Sequence, residues 1–129
     1  MSIECDLPVL RPGDVGVYVV KSGSGLYRAG IAGTRGKADL IGRLKLHSRK
    51  ATPANLTTVN RPWVCIWRHV LPHASPLRLL MAEHLLIGRL IEVGEFRHHS
   101  IFAADTDDVV ITAARSAIPL FGCITVGDG

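Results

Sequence analysis

Two runs near the amino terminus are rich in hydrophobic residues of high β-propensity and have few polar positions, and this pattern predicts two β-strands. The runs cover residues 15–21 and 26–32, and a Ser-Gly-Ser-Gly segment at 22–25 separates them. A short, glycine-rich connection of this kind is typical of a hairpin. Because side chains of a strand point alternately to its two faces, Tyr18 and Val17 are expected on opposite sides of the sheet.

Apolar residues at helical spacing predict three helices, at about residues 38–50, 77–91 and 109–117. An aromatic and β-branched run at 63–70 predicts a third strand. A run of Asp and Thr offers a cap for the last helix, and we expect Pro119 to stop it. The expected fold class is α/β (α+β), with a small, mainly antiparallel three-stranded sheet flanked by helices. The predicted inward-facing residues are Leu40, Ile41 and Leu44 in the first helix, and Leu79, Leu80, Leu86, Ile87 and Leu90 in the second.

The chain of 129 residues has the size of one domain with one core. We expect a lead-in at 1–14, the domain at 15–118 and a tail at 119–129. No apolar run approaches the roughly 18 residues of a membrane span, and the amino terminus lacks the pattern of a signal peptide. The three cysteines show no CxxC spacing and are expected to be free thiols. Together these features predict an intracellular protein of a reducing compartment, the cytoplasm or the nucleoid or nucleus, that is neither secreted nor in a membrane.

Positive charge is concentrated in the first part of the chain. Residues 1–78 contain 12 Lys and Arg against 4 Asp and Glu, whereas residues 79–129 contain 3 against 7. A basic surface of this kind binds phosphates by counterion release, although an ordinary solvated surface has the same composition. Aromatic residues make up only 5% of the chain, which argues against a platform for stacking single-stranded bases.

Two features of the predicted helices carry candidate chemistry. Arg43 and His47 are four residues apart, so both side chains lie on one face of the first helix. Glu83 falls among the leucines of the second helix, where an unpaired carboxylate would be costly to bury. Either Glu83 pairs with an arginine as a structural residue, or it faces a cleft and binds a cation or substrate.

The order of these pieces resembles the GIY-YIG nuclease superfamily. Gly16-Val17-Tyr18 is similar to the first signature, and Arg43, His47 and Glu83 match an arginine, a histidine and a metal-binding glutamate of that family. The second motif, Tyr27-Arg28-Ala29-Gly30-Ile31, is similar to the Tyr-Lys-Ile-Gly-Ile form of the phage and viral branch. Gly94-Glu95-Phe96 is also similar to a segment of that branch, and the resemblance covers about residues 15–117.

The resemblance implies a divalent-metal-dependent endonuclease with one Mg²⁺ or Mn²⁺ held by Glu83. Tyr18 would accept a proton from water, Arg43 would hold the scissile phosphate, and His47 would assist proton transfer. This chain departs from the pattern at the second tyrosine, where Arg28 stands, and in the missing asparagine after the Glu83 helix, which His98, His99, Ser100 or no residue replaces. The predicted catalytic residues are Tyr18, Arg43, His47 and Glu83, and the predicted substrate contacts are Tyr27, Arg28, Gly30, Lys45 and Arg49.

Three functional hypotheses follow. The first is an endonuclease acting on nucleic acid, with double-stranded DNA as its substrate. The second is a non-catalytic nucleic-acid-binding or structural protein that keeps the same fold, and the third is a subunit of a larger assembly. Because the chain has no room for a separate DNA-recognition module, specificity would come from the domain itself, from a homodimer or from a partner protein.

Overall fold

The computed structural model describes residues 7–33, 39–48 and 63–124. These residues form a mixed α+β structure with a five-stranded antiparallel sheet. The strands in the described part of the chain are β1 (Gly16–Ser22), β2 (Leu26–Ala32), β3 (Trp63–Val70), β4 (Gly94–His98) and β5 (Ile101–Ala104). The helices there are α1 (Leu40–Ser48), α2 (Pro76–Ile91) and α3 (Asp107–Phe121).

The sheet has the strand order β3-β1-β2-β5-β4. Strands β1, β2 and β3 confirm the three predicted strands, but the prediction of a three-stranded sheet is wrong because β4 and β5 extend it. These two strands contain only five and four residues, too few for a clear alternating pattern. They form because they pair with each other and because β5 pairs with β2, a strand that is far away in the sequence.

Strand β1 is buried on both faces, and each face belongs to a different part of the core. Val17 and Val19 pack with residues of α2 and α3, whereas Tyr18 and Val20 pack with Leu40 of α1. The predicted alternation of Tyr18 and Val17 is therefore confirmed. The sheet separates α1 from the α2–α3 pair, and Tyr18 lies on the α1 side.

Helix α1 begins at a cap that also ties down the chain before β1. Asp39 Oδ1 accepts a hydrogen bond from the Gly42 amide at 2.9 Å, and Oδ2 accepts one from the Gly13 amide at 2.7 Å. The Leu40 amide donates to the Asp14 carbonyl at 2.9 Å. These bonds satisfy amides at the start of the helix and set its position over the sheet. The predicted ends of this helix, at 38 and at 49–50, lie outside the described residues.

The two longer helices agree with most of the predicted pattern. Helix α2 follows Ser75, whose side chain accepts from the Arg78 amide, and its stripe of Leu79, Leu86 and Leu90 is fully buried. Leu80 was expected in this stripe, but it is 46% exposed on the opposite side of the helix.

Helix α3 is capped by Thr106, as the Asp and Thr run predicted. The expected stop at Pro119 is wrong, since the helix continues to Phe121. A proline removes one backbone donor, and here the buried Phe121 side chain holds the last turn against the core. The first residues of the predicted tail therefore belong to the helix.

Among the described residues, β5 covers only part of one edge of β2, and the uncovered part borders the candidate site. Strand β5 pairs with Leu26–Arg28 of β2, and the final bond runs from the Ala29 amide to the Ser100 carbonyl at 3.0 Å. No strand of the described residues pairs with Gly30–Ala32 on this side. Helix α2 packs against β2, so a side chain of α2 can reach the α1 side of the sheet past this edge. Within the described ranges, no helix has the length and apolar character to cross a membrane.

Candidate functional site

A cavity of about 200 Å³ lies at the open edge of β2. Strands β1 and β2, helices α1 and α2 and the turn before β5 all contribute to its wall. Five of the predicted site residues border it, together with one serine. The five predicted residues and the serine are Tyr18, Arg28, Gly30, Arg43, Glu83 and Ser100.

Tyr18 forms the floor of this cavity and is bonded to two residues of α1. Its hydroxyl oxygen lies 2.8 Å from Nε2 of His47, and Nε of Arg43 donates to the same oxygen at 3.4 Å. The four-residue spacing of Arg43 and His47 on α1 directs both side chains to this one oxygen. His47 is only 2% exposed, so it is a buried partner of Tyr18 and not a surface histidine.

Burial controls the charge state of Tyr18. Desolvation raises the pKa of Tyr18 above its ordinary value, although the hydrogen bond and charge of Arg43 and the charge of Arg28 act to lower it. The hydroxyl is therefore a neutral phenol at neutral pH. Arg43 donates to the phenol oxygen, and the direction of the hydrogen bond between that oxygen and Nε2 of His47 depends on the tautomer of the imidazole.

Gly30 makes room for the ring of Tyr18. The two residues face each other in the β1–β2 ladder, and a Cβ atom at position 30 would lie 2.5 Å from Cζ of Tyr18. A glycine within a strand indicates a bulge or a close approach of another group. Here the approaching group is the Tyr18 side chain, so Gly30 leaves the space that the phenol ring occupies.

Glu83 reaches the cavity from α2. The residue is half-buried, and among the residues that the structure describes no ion pair within 4.0 Å involves it. Desolvation raises the pKa of Glu83, while the charges of His84, Arg28 and Arg43 act to lower it. Of the two alternatives for this carboxylate, the geometry corresponds to the one that faces a cleft.

The carboxylate of Glu83 fits a single hard cation. The described part of the chain contains no group of three or more His, Cys, Asp or Glu residues arranged to hold a metal ion. A cation here would therefore take one protein carboxylate and complete its shell with water and substrate oxygens, which is a common arrangement for Mg²⁺. Partial burial makes the charged form of the Glu83 carboxylate unfavourable, and a cation bound beside it would offset this cost in free energy.

Arg28 and Tyr27 point to opposite sides of β2, so only one of them lies at the cavity. Arg28 lies on the same face as Tyr18 and borders the cavity. Tyr27 is buried on the other face, where its ring stacks on Phe102 and its hydroxyl donates to Asp107 at 2.6 Å. The structure therefore separates Tyr27 from Arg28 and Gly30, which border the cavity. Tyr27 does not supply the cavity with the tyrosine that is missing at position 28.

The remaining predicted contacts lie elsewhere. Lys45 is exposed and borders a separate groove beside β3, and Arg49 is outside the described residues. Three residues were predicted as possible replacements for the asparagine of the GIY-YIG pattern. Ser100 borders the cavity, whereas His98 and His99 are exposed. No local sequence signal separates Ser100 from its neighbours, because its position depends on the pairing of β2 with β5.

Comparison with known proteins identifies no relative of this chain. No protein-family profile, no curated protein and no solved structure matches it.

Proposed function

We propose that this chain is a divalent-metal-dependent endonuclease of the GIY-YIG type that hydrolyses phosphodiester bonds in DNA. The observation that carries the proposal is the phenol of Tyr18, bonded to His47 and Arg43 in a cavity that also contains Glu83. Hydrolysis of a phosphodiester needs a proton acceptor for water, cations for the phosphoryl oxygens and help for the leaving oxygen. The cavity contains Tyr18 as a candidate proton acceptor, Arg28 and Arg43 as cations, and Glu83 as a candidate ligand of a metal ion.

Two arginines are available to bind the phosphate. Arg43 uses Nε to contact Tyr18, so its two terminal nitrogens can donate to phosphoryl oxygens. Arg28 borders the same cavity from β2. Guanidinium groups suit phosphate because their planar donors match the spacing of its oxygens. The second arginine replaces the tyrosine of the family's second motif, and we assign it to holding substrate.

Tyr18 and His47 form a path for the proton. A neutral phenol cannot act as a ready base, so it must lose its own proton as it takes one from water. The attacking water would give a proton to the Tyr18 oxygen while the phenol proton moves to Nε2 of His47, 2.8 Å away. The resulting hydroxide attacks phosphorus, the bond from phosphorus to the leaving oxygen breaks, and the leaving oxygen takes a proton from water. His47 then returns its extra proton to solvent.

Glu83 would hold the metal ion. A bound Mg²⁺ or Mn²⁺ supplies positive charge for the phosphoryl and leaving oxygens. Without a cation, the carboxylate of Glu83 would repel the phosphate that Arg28 and Arg43 attract. Glu83 would therefore make substrate binding depend on the metal ion.

The test is nicking of a supercoiled plasmid at low salt with Mg²⁺, with Mn²⁺ and with a chelator. We expect metal-dependent nicking by the wild type, loss of nicking in Glu83→Gln and full nicking in the control Glu92→Gln, which changes an exposed carboxylate of the same helical segment. Nicking that persists in Glu83→Gln, or that survives chelation, would remove Glu83 and the metal from the mechanism.

A second candidate function is nucleic-acid binding without cleavage. Two observations favour it: burial keeps Tyr18 neutral, and Arg28 stands where the family has a tyrosine. In that case the wild type and Glu83→Gln would both retain the plasmid in a salt-dependent way without nicking it. Arg28→Gln would then weaken retention more than the exposed control Arg97→Gln does.

A further inference from the structure

The α1 side of the sheet continues beyond the cavity onto β5 and β4. The described helices that pack on these two strands are α2 and α3, which lie on the opposite side. Ile101 and Ala103 flank Phe102, whose side chain is buried with residues of α2 and α3, so both point to the α1 side. Together with Leu26 of β2 they belong to neither part of the core, and all three are partly exposed. The cavity therefore opens onto a partly exposed surface of β2, β5 and β4.

A row of three residues crosses this surface from the cavity to the last strand of the sheet. Arg28, which borders the cavity, lies opposite Ile101 in the β2–β5 ladder, and Ile101 lies opposite His98 in the β5–β4 ladder. Directly opposite residues of antiparallel strands share a face, so His98 is on the same face as Arg28. Because neighbouring strands are about 4.8 Å apart, the backbone of His98 is about 10 Å from that of Arg28. We call these three residues the cross-strand row.

The hairpin turn after β4 has an irregular backbone beside the cavity. The ladder shifts register between Phe96 and His98, which leaves Arg97 as an extra residue. Such bulges redirect neighbouring side chains and are common beside functional sites. His99 follows with a φ of +33°, a conformation that glycine or asparagine usually adopts in turns. The rings of His98 and His99 are 4.2 Å apart, and the next residue, Ser100, borders the cavity.

The polar side chains of the cross-strand row can donate hydrogen bonds to an anion. Among the residues that the structure describes, no ion pair within 4.0 Å involves Arg28 or His98. The carboxylate on this face nearest in sequence, Glu95, lies opposite Ala103 outside the row and is paired with Arg97 at 3.6 Å. Duplex DNA carries one phosphate charge per about 1.7 Å of its axis, so a row about 10 Å long spans several phosphates.

We propose that a duplex DNA substrate continues from the cavity along the cross-strand row, and that His98 binds a backbone phosphate there. This inference rests on the proposed function, because it requires the cavity to accept a phosphodiester. Continuity with the cavity through Arg28 favours nucleic acid as the occupant, as does the absence of a carboxylate from the row. A phosphate contact positions the duplex without reading its sequence. His98 is therefore a substrate-binding residue and takes no part in the chemical step.

Fluorescence anisotropy of a short fluorescein-labelled DNA duplex tests this contact. The measurement uses the Glu83→Gln background to prevent nicking, near 0.1 M salt, where exposed charges more than about 10 Å apart are largely screened. We expect His98→Glu to raise the dissociation constant about tenfold and His98→Lys to lower it about threefold. The controls His73→Glu and His73→Lys make the same charge changes at an exposed histidine between β3 and α2 and should have little effect. Equal effects at positions 98 and 73 would overturn the proposal.

Plasmid nicking separates this inference from the proposed function. In the otherwise unchanged protein, His98→Glu should raise KM and leave kcat as it is, with the melting temperature of the wild type. A fall in kcat at unchanged KM would overturn the binding role of His98. A protein that binds the duplex but does not nick would refute the nuclease, and the comparison of positions 98 and 73 would still decide this inference. A protein that does not bind the duplex would overturn both.

Discussion

Gly30 lies opposite Tyr18 in the β1–β2 ladder, and the phenol ring occupies the space in which a side chain at position 30 would begin. This relationship joins the two sequence motifs physically. The glycine of the second motif is needed because the tyrosine of the first motif lies over it. The hydroxyl of Tyr18 can then reach His47 and Arg43 on α1.

Gly30→Ala should displace the Tyr18 ring. The new methyl group would lie 2.5 Å from Cζ of Tyr18, so the ring or the strand has to move. We expect a loss of about 1–3 kcal/mol in the free energy of unfolding, measured by urea denaturation, and a loss of nicking. The control is Gly23→Ala in the hairpin turn, where a Cβ atom meets nothing within 4 Å. Unchanged stability and activity in Gly30→Ala would show that the ring does not need this space.

The two tyrosines should give opposite results when each is changed to phenylalanine. Tyr18→Phe keeps the ring but removes the hydroxyl that contacts His47, so we expect nicking to fall by about 100-fold or more with the fold retained. Tyr27→Phe removes the hydrogen bond to Asp107 on the other face. It should lower the free energy of unfolding by about 1 kcal/mol and leave nicking intact.

These results come from single-turnover nicking and from thermal unfolding of both variants. An active Tyr18→Phe would exclude the proposed proton path, and an inactive but stable Tyr27→Phe would mean that the buried face of β2 contributes to catalysis.

Glu83→Gln should stabilise the protein at neutral pH. Burial raises the pKa of Glu83 in the folded state, so folding favours the protonated form. The stability that this provides is present below the ordinary pKa of about 4.3 and is lost as the pH rises through the raised value. Glutamine imitates the protonated form, so we expect a gain of about 0.5 kcal/mol at neutral pH, small because the half-exposed group is screened by solvent.

The gain should disappear as the pH falls below the ordinary value, and melting temperatures measured across this range give the result. The exposed control Glu92→Gln should show no such pH-dependent gain. A Glu83→Gln protein that is less stable than the wild type at neutral pH would point to an ionic partner of Glu83.

Divalent metal should stabilise the wild type through Glu83. A ligand that binds only the folded protein, at ten times its dissociation constant, adds about 1.4 kcal/mol, which raises the melting temperature by a few degrees. We expect this shift with Mn²⁺ or Mg²⁺ in the wild type and in Glu92→Gln, and its absence in Glu83→Gln. An equal shift in Glu83→Gln would place the metal at another site, whatever the nicking assay shows.

The elements that the sequence predicted correctly are those with a strong local pattern. Strands at 26–32 and 63–70 have the predicted bounds, and α2 begins one residue before its predicted start. The errors involve positions where contacts between distant segments override the local pattern. Leu80 has helical spacing but faces outward, and α3 continues through Pro119 because Phe121 is buried in the core.

Three of the four predicted catalytic residues border one cavity. Tyr18, Arg43 and Glu83 come from three separate segments, and the structure brings all three to one cavity. Tyr27 and Arg28 were both predicted as substrate contacts. Because side chains alternate along the strand, only Arg28 lies at the cavity. Which face of β2 borders the cavity depends on α1 and on the incomplete pairing with β5, and neither is encoded near residue 28.

The sequence by itself determined the local geometry of this protein. Residue periodicity sets the faces of β1, and the four-residue spacing on α1 sets Arg43 beside His47. Only the tertiary structure decided the environment of these groups, because desolvation depends on every segment packed around a side chain. The tertiary structure buries Tyr18 and so raises its pKa, and it brings Glu83 to the uncovered part of the β2 edge. It also leaves an apolar side of α2 exposed. Contacts between residues far apart in the chain produce all three features, and no short stretch of sequence contains them.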